Sequence, residues 1–194
     1  MPTPPILPPI QIETPRLILR SYRPGDGQMY YAACLHNRQH LQRYESDNSM
    51  LGVQSVEQAE GLIGEYLRDW AAGKYFMLGA FTKDSGDFAV QVYLGVNNWE
   101  LPEFEVGFIA DVEHEGQGYV SEAVRAALGL IFGPLGGWRA GLHCRESNLR
   151  SQRVAERCGF RLEGHIRENK RLPDGTFEGD YYYGLLKSEY EKQE

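Results

Sequence analysis

Apolar positions along the chain alternate between short branched runs and longer stretches at helical spacing, and this alternation lays out the elements. Within Ile12 to Tyr22 the run Arg16-Leu-Ile-Leu-Arg20 is short and flanked by Pro15 and Pro24, which predicts a strand. A Pro-Gly-Asp turn follows, and Asp26 is placed to cap a helix through Met29, Tyr30, Ala33 and Cys34 toward Asn37. The polar stretch from Asn37 to Gly52 predicts a short helix and a loop. Ser55 and Gln58 have capping-box spacing. Val56, Ala59, Leu62, Ile63, Tyr66, Leu67 and Trp70 then hold one helical face until Gly73 stops it. Strands follow over Tyr75 to Thr82, Phe88 to Trp99 and Glu103 to Asp111, the first two joined by a turn at Lys83-Asp-Ser-Gly-Asp87. Next come a helix from Gly118 to Phe132, a strand from Trp138 to Arg145 and a helix from Asn148 to Cys158 closed by Gly159. Strands from Phe160 to Lys170 and Glu178 to Leu186 flank a turn at Leu172-Pro-Asp-Gly175. The order β, helices, βββ, α, β, α, ββ predicts an α/β fold of mixed α+β character, a mixed sheet with helices on both faces.

Length and composition narrow the class. With 194 residues, 42% hydrophobic and 24% charged, the chain is long enough for one well-buried core and too ordinary in usage for a disordered or fibrous protein. Five prolines in Met1 to Ile10, without a basic n-region, read as an extended arm and not as a signal peptide. The expected organisation is therefore an arm over residues 1–11 and one domain over 12–194, resident in the cytoplasm. No apolar run approaches the roughly 18 residues of a membrane span, so no membrane partner is expected. A net charge of -7 argues against nucleic acid. Cys34, Cys144 and Cys158 are widely separated, with no CxxC or Cys/His spacing, so they read as small core residues and no metal is expected.

One segment carries candidate chemistry. Asp-Val-Glu-His-Glu-Gly116-Gln-Gly118-Tyr-Val, over residues 111–120, is a strand end, two glycines one residue apart and the start of an amphipathic helix. Glycines let the backbone turn and a ligand approach closely, while the unpaired N–H groups of the first helical turn point at negative charge. The alternatives are a plain tight turn and a dinucleotide-binding loop, although Ser121 stands where the third glycine of the latter belongs.

The downstream segment Asn148-Leu-Arg-Ser151-Gln-Arg-Val154, ending in Gly159-Phe160-Arg-Leu-Glu163-Gly164, joins Glu105-Val-Gly107-Phe and Gly116-Gln-Gly118-Tyr in a fixed order. Together they closely resemble the GNAT superfamily of N-acetyltransferases. The opening Thr14-Pro-Arg-Leu-Ile-Leu-Arg20, the Glu163-Gly164 pair and Arg167-Glu168 resemble its RimJ/RimL-like branch. The resemblance implies a mostly antiparallel, six- to seven-stranded twisted sheet in which a splayed strand pair binds coenzyme A. It places the pantetheine arm against Phe108, Ile109 and Ala110 and the pyrophosphate on the amides of Gly116, Gln117, Gly118, Tyr119 and Val120. It gives Asn148 a contact to the pantetheine, with a plain helix cap as the alternative. Arg153 and Arg157, four apart on one helical face, are expected at the adenosine phosphates or simply in solvent. Glu113 and Glu115 depart from the family pattern, and their side chains are expected to point away from the pyrophosphate.

The implied activity is acetyl transfer from acetyl-CoA, as co-substrate and without metal, to a primary amine by direct attack. The favoured acceptor is the α-amino group of a protein or peptide; a polyamine, aminoglycoside or amino-acid analogue, and a non-catalytic acyl-CoA sensor, are the alternatives. Ser151 is expected to protonate the departing thiolate, or else to serve as a second capping hydroxyl. Glu105 and Glu168 are the candidate bases, the latter two residues short of Lys170 on the same predicted strand face, with His143 as a third. A monomer or a homodimer is equally open. The acidic stretch near Glu45 and Asp47 leaves room for a cationic acceptor.

Overall fold

The computed structural model describes residues 10–45, 48–172 and 174–192; the proline-rich residues 1–9 and Asp47 lie outside the described residues. Eight strands, β1 (Gln11–Glu13), β2 (Leu17–Ser21), β3 (Tyr75–Thr82), β4 (Phe88–Asn98), β5 (Glu103–Ala110), β6 (Arg139–Arg145), β7 (Arg161–Arg171) and β8 (Phe177–Leu186), form one sheet in the order β1-β2-β3-β4-β5-β6-β8-β7. Every neighbouring pair is antiparallel except β5 and β6. The six or seven strands expected become eight because the predicted first strand is two. Thr14 Oγ1 accepts from Leu17 N at 2.9 Å, which folds the chain back at Pro15 and sets Gln11 opposite Arg20. Gln11, assigned to the arm, is therefore already in the sheet.

Helices α1 (Gly27–His36), α2 (Arg38–Tyr44), α3 (Val56–Ala71), α4 (Tyr119–Phe132), α5 (Leu149–Arg157) and α6 (Lys187–Tyr190) complete the order. Two apolar clusters fill the two sides of the sheet: α4 packs with Leu78, Val92, Val106 and Leu142, while α1 and α3 pack with Met77, Phe81 and Ile109. β3 and β4, covered on both faces, are buried almost without interruption, as their near-continuous apolar sequence requires. α3 buries Ala59, Ile63, Tyr66 and Trp70 as predicted, and Ser55 Oγ accepts from Gln58 N at 3.2 Å. Asp26 does not cap α1. Its carboxylate is taken by Arg20 at 2.6 and 3.0 Å, and Glu60 of α3 accepts instead from Gly25 N and Gly27 N at 2.7 and 2.8 Å. The helix start is thus tied to its neighbour and not to itself. All three cysteines are buried, and burial pushes the Cys34 and Cys144 thiols up to about 12 and Cys158 to about 11.

Candidate active site

The site begins where two strands part. β5 pairs with β4 along its length, from Glu103↔Asn98 to Ala110↔Val90. On its other side it pairs with β6 only at Glu103↔Arg139, Phe104↔Ala140 and Glu105↔Gly141. Past Glu105 the strands diverge, and the backbone groups of Gly107 to Ala110 that face the gap have no ladder partner. Such an edge accepts an extended, amide-bearing ligand as if it were a further strand.

Two cavities open from this fork. The first, about 580 Å³, is lined by Phe108, Ile109 and Ala110 of β5, by Gly116 to Ser121 apart from Gln117, and by Asn148 and α5 to Arg157 apart from residues 152, 155 and 156. The second, about 520 Å³, lies across β5 and is lined by Tyr66, Tyr75, Tyr93, Glu105, Gly107 and His143, among others. Phe108, Ile109, Ser151 and Glu45 line both, so the two cavities meet at the fork.

In the first cavity the glycine pair behaves as an anion cradle needs. Gly116 and Gly118 adopt φ of +74° and +83°, a left-handed conformation that L side chains rarely hold, and no protein atom lies within 4 Å of a Cβ built on Gly116. The first i to i+4 bond of α4 runs from Glu122 N to Gly118 O at 3.1 Å, leaving the amides of Tyr119, Val120 and Ser121 without an intrahelical carbonyl. Gln117 turns outward. Its side chain donates to Glu113 O and its carbonyl accepts from Arg16 Nη1 at 2.9 Å. Arg153 and Arg157 both line this cavity, joined by Arg150. Asn148 Oδ1 accepts from Ser151 N at 3.1 Å, so the helix cap is real, and the Asn148 amide nitrogen has no protein partner among the described residues. Free strand amides, a glycine-lined helix start and three arginines fit the pantetheine, pyrophosphate and outer phosphate of coenzyme A.

The two glutamates divide. Glu113 points outward, its carboxylate 3.3 Å from His36. Glu115 does line the cavity, contrary to expectation; Arg150 pairs with its carboxylate there, and His40 Nδ1 lies 3.3 Å from it.

In the second cavity Glu105 Oε1 lies 2.9 Å from His143 Nδ1. The hydrogen bond to His143 holds the Glu105 carboxyl below its ordinary value, and the same bond raises the His143 imidazole above its own. Glu168 lines neither cavity. Between Ile166↔Asp180 and Lys170↔Glu178 β7 carries two more residues than its partner, and Glu168 sits in this bulge with φ +53°. The alternation that put Glu168 and Lys170 on one face stops there.

Several residues that hold the site carry no local motif. Arg16 donates to both Gln117 O and the Glu122 carboxylate and lies 4.5 Å over the Tyr119 ring, bracing the cradle from behind. Asn37, fully buried, donates to Asp111 Oδ2 at 2.8 Å and accepts from Val112 N at 2.9 Å. It ties the α1–α2 junction to the strand end that feeds the glycine loop. The Arg16–Glu122 ion pair and the Asn37–Asp111 hydrogen bond join distant segments, and a single sequence reveals neither. The fold also brings His36, Asp111 and Glu113 within 4.8 Å, a grouping invisible in the spacing. Both Asp111 oxygens are occupied there, by Asn37 Nδ2 and by Glu113 N.

Residues 16–161 match the family described as "Acetyltransferase (GNAT) domain". The uncharacterized N-acetyltransferase YnaD of Bacillus subtilis (strain 168) is 26% identical over 187 residues, spanning 93% of this chain and 99% of its own. Among solved structures, the ribosomal-protein-S5-alanine acetyltransferase of Vibrio fischeri superposes with a TM-score of 0.82 at 17% identity, covering 93% of this chain and 98% of that one. A ribosomal L7/L12 α-N-protein acetyltransferase, RimL, solved with coenzyme A, superposes with a TM-score of 0.81 at 21% identity, covering 91% and 98%. No helix among the described residues is long and apolar enough to cross a membrane.

Proposed function

Because the chain belongs to the GNAT acetyltransferases, and so is an acetyl-CoA-dependent N-acetyltransferase, we propose that its acceptor is the α-amino group of a protein or peptide N-terminus. The observation that carries the reading is the meeting of two cavities at Phe108, Ile109 and Ser151, one fitted to the coenzyme and one open to a second substrate. Acetyl-CoA supplies an activated acyl group when bound. The chain's own residues do the rest. The amides of residues 108–110 and 116–120 orient the donor and a strand N–H near Phe108 to Ala110 receives charge on the acyl oxygen. The Glu105–His143 pair accepts a proton from the ammonium group, since the amine arrives protonated at neutral pH. Ser151, at the junction, returns a proton to the leaving sulfur. Glu168, outside both cavities, has no part in this scheme.

The names of RimL and of the S5-alanine enzyme support a peptide acceptor in a RimJ/RimL-like branch. One observation favours a second reading, a small polycationic amine such as a polyamine or aminoglycoside. The acceptor cavity is lined by Glu45, Glu65 and Glu105, and no lysine or arginine is among its lining residues. We place the protein in the cytoplasm, as one domain that opens with β1, a monomer or homodimer. Acetyl-CoA consumption across N-terminal peptides, polyamines and aminoglycosides tests the reading: turnover with peptides supports it, turnover with polyamines alone selects the second, and coenzyme binding without turnover on any primary amine leaves only an acyl-CoA sensor.

A further inference from the structure

We infer that His143 Nε2 is the base that frees the acceptor amine, and that Glu105 is a positioning residue that holds the imidazole for this task. The inference rests on the acetyl-transfer reading above. Its basis is the register at the fork. Glu105 is directly opposite Gly141, the last pair before β5 and β6 part, and His143 is two residues beyond Gly141 on the same face. Gly141 offers no side chain to Glu105, and Gly107 offers none to His143. The carboxylate and imidazole therefore meet diagonally across the opening fork, at 2.9 Å between Oε1 and Nδ1.

The ring is fixed on a second side. Tyr182, its register partner on β8, stacks on it with centroids 5.5 Å apart and planes at 21°. With Nδ1–H donated to Glu105, the lone pair of the neutral ring resides on Nε2, which has no protein partner among the described residues. His143 is half-exposed and lines the acceptor cavity, so this nitrogen is within reach of a ligand there. A carboxylate held ionised by its histidine has little remaining affinity for an ammonium proton. An imidazole raised above its ordinary value by that carboxylate holds a proton more readily than the carboxylate itself. Of the other groups facing the ring, Asp180 from β8 and Glu45 after α2 act in the same direction, against the ring's burial; Tyr182 stacks on it, and Tyr93 from β4 faces Glu105.

The proton count closes. The acceptor enters as R–NH3+, His143 Nε2 takes one proton and releases it to solvent, and the nitrogen lone pair forms the C–N bond. The C–S bond of the thioester breaks, and the second nitrogen proton balances the departing thiolate by way of the Ser151 hydroxyl. The sum is acetyl-CoA plus R–NH3+ giving the acetamide, the free thiol and one H+.

The test follows kcat/KM for the acceptor against pH in native protein, His143→Gln and Glu105→Gln, with the His143 ring titration read by NMR in the unliganded protein. In native protein the rate rises through the His143 ionisation. His143→Gln loses that limb and about 10²–10⁴-fold in rate at neutral pH, keeps its coenzyme KM, and recovers partly with added imidazole. Glu105→Gln keeps the limb but moves it, and the NMR titration, to lower pH, a change that a merely structural carboxylate would not produce. An unshifted limb in His143→Gln, or a His143 titration indifferent to Glu105→Gln, overturns the assignment and leaves acetyl transfer standing. Native protein that binds coenzyme and acetylates no amine overturns both.

Discussion

Ser151 holds its place through its own backbone, with its amide on Asn148 Oδ1 at 3.1 Å, and among the described residues its hydroxyl has no partner at the junction of the two cavities. Ser151→Ala should lower kcat by on the order of 10²-fold with coenzyme KM unchanged. The defect should persist at high pH and shrink with a donor whose thiol has a lower pKa; a loss that vanishes at high pH would make Ser151 part of the base. Arg157 offers a comparable test at the other end of α5. If it meets the outer phosphate, Arg157→Ala should weaken coenzyme A more than dephospho-coenzyme A by about 1 kcal/mol, a value fit for a solvent-screened contact. Equal losses in calorimetry would return it to solvent. The Glu105–His143 pair also bears on stability. Glu105 contributes above the ordinary carboxylate value and loses this as pH falls through its lowered one; His143 contributes below about 6.5 and loses this as pH rises through its raised one. His143→Gln should therefore cost more in Tm at pH 6 than at pH 8.5. A Tm difference independent of pH would mean that the pair does not form in solution.

At the scale of elements, the strand–loop–helix from β5 to α4 is held from two sides, by Arg16 at its back and by Asn37 at its entry. Asn37→Ala would leave Val112 N without its acceptor and Asp111 Oδ2 with His36 alone, 3.3 Å away, a cost of about 1–3 kcal/mol. A drop in Tm with a raised coenzyme KM is expected; an unaltered KM would uncouple the junction from the loop. Gly118→Val should raise the coenzyme KM strongly. The side chain must adopt the left-handed region and its Cβ would lie 3.4 Å from Arg16 Nη2, so some stability goes with it. An unchanged KM would reduce the loop to a turn. These elements explain what the sequence disclosed. The coenzyme half was legible because glycine loop, helix start and arginine face are each contiguous, and local physics dictates their form. In the acceptor half Glu105 and His143 were named singly, but their pairing and the Tyr66 and Tyr93 beside them were not legible, because the four come from four elements and meet only through register. Glu168 was misplaced because strand alternation was carried through a bulge that no residue type announces. Asp26 looked like a cap because the rule weighs neighbours in sequence, whereas Arg20 reaches it from β2.

Over the whole molecule, a net charge of -7 is unevenly spread. Arg150, Arg153 and Arg157 gather at the coenzyme mouth, while Glu45, Glu65 and Glu105 line the acceptor cavity with no fixed cation among its lining residues. The long-range field therefore opposes the anionic donor and attracts a cationic acceptor, and local arginines must overcome the opposition at short range. Screening separates the two. Between about 0.01 and 0.1 M salt the Debye length falls from roughly 30 Å to roughly 10 Å, which erases the field of distant charges but spares contacts at 3–4 Å. The KM of a polyamine acceptor should thus rise severalfold over that range, that of an uncharged-side-chain peptide with a single N-terminal charge much less, and that of acetyl-CoA should hold or fall. Steady-state kinetics at fixed pH with varied potassium chloride would decide it. Equal salt dependence for the two acceptors would mean that the cavity carboxylates act only through contact, and the preference between peptide and polyamine would then rest on cavity shape alone.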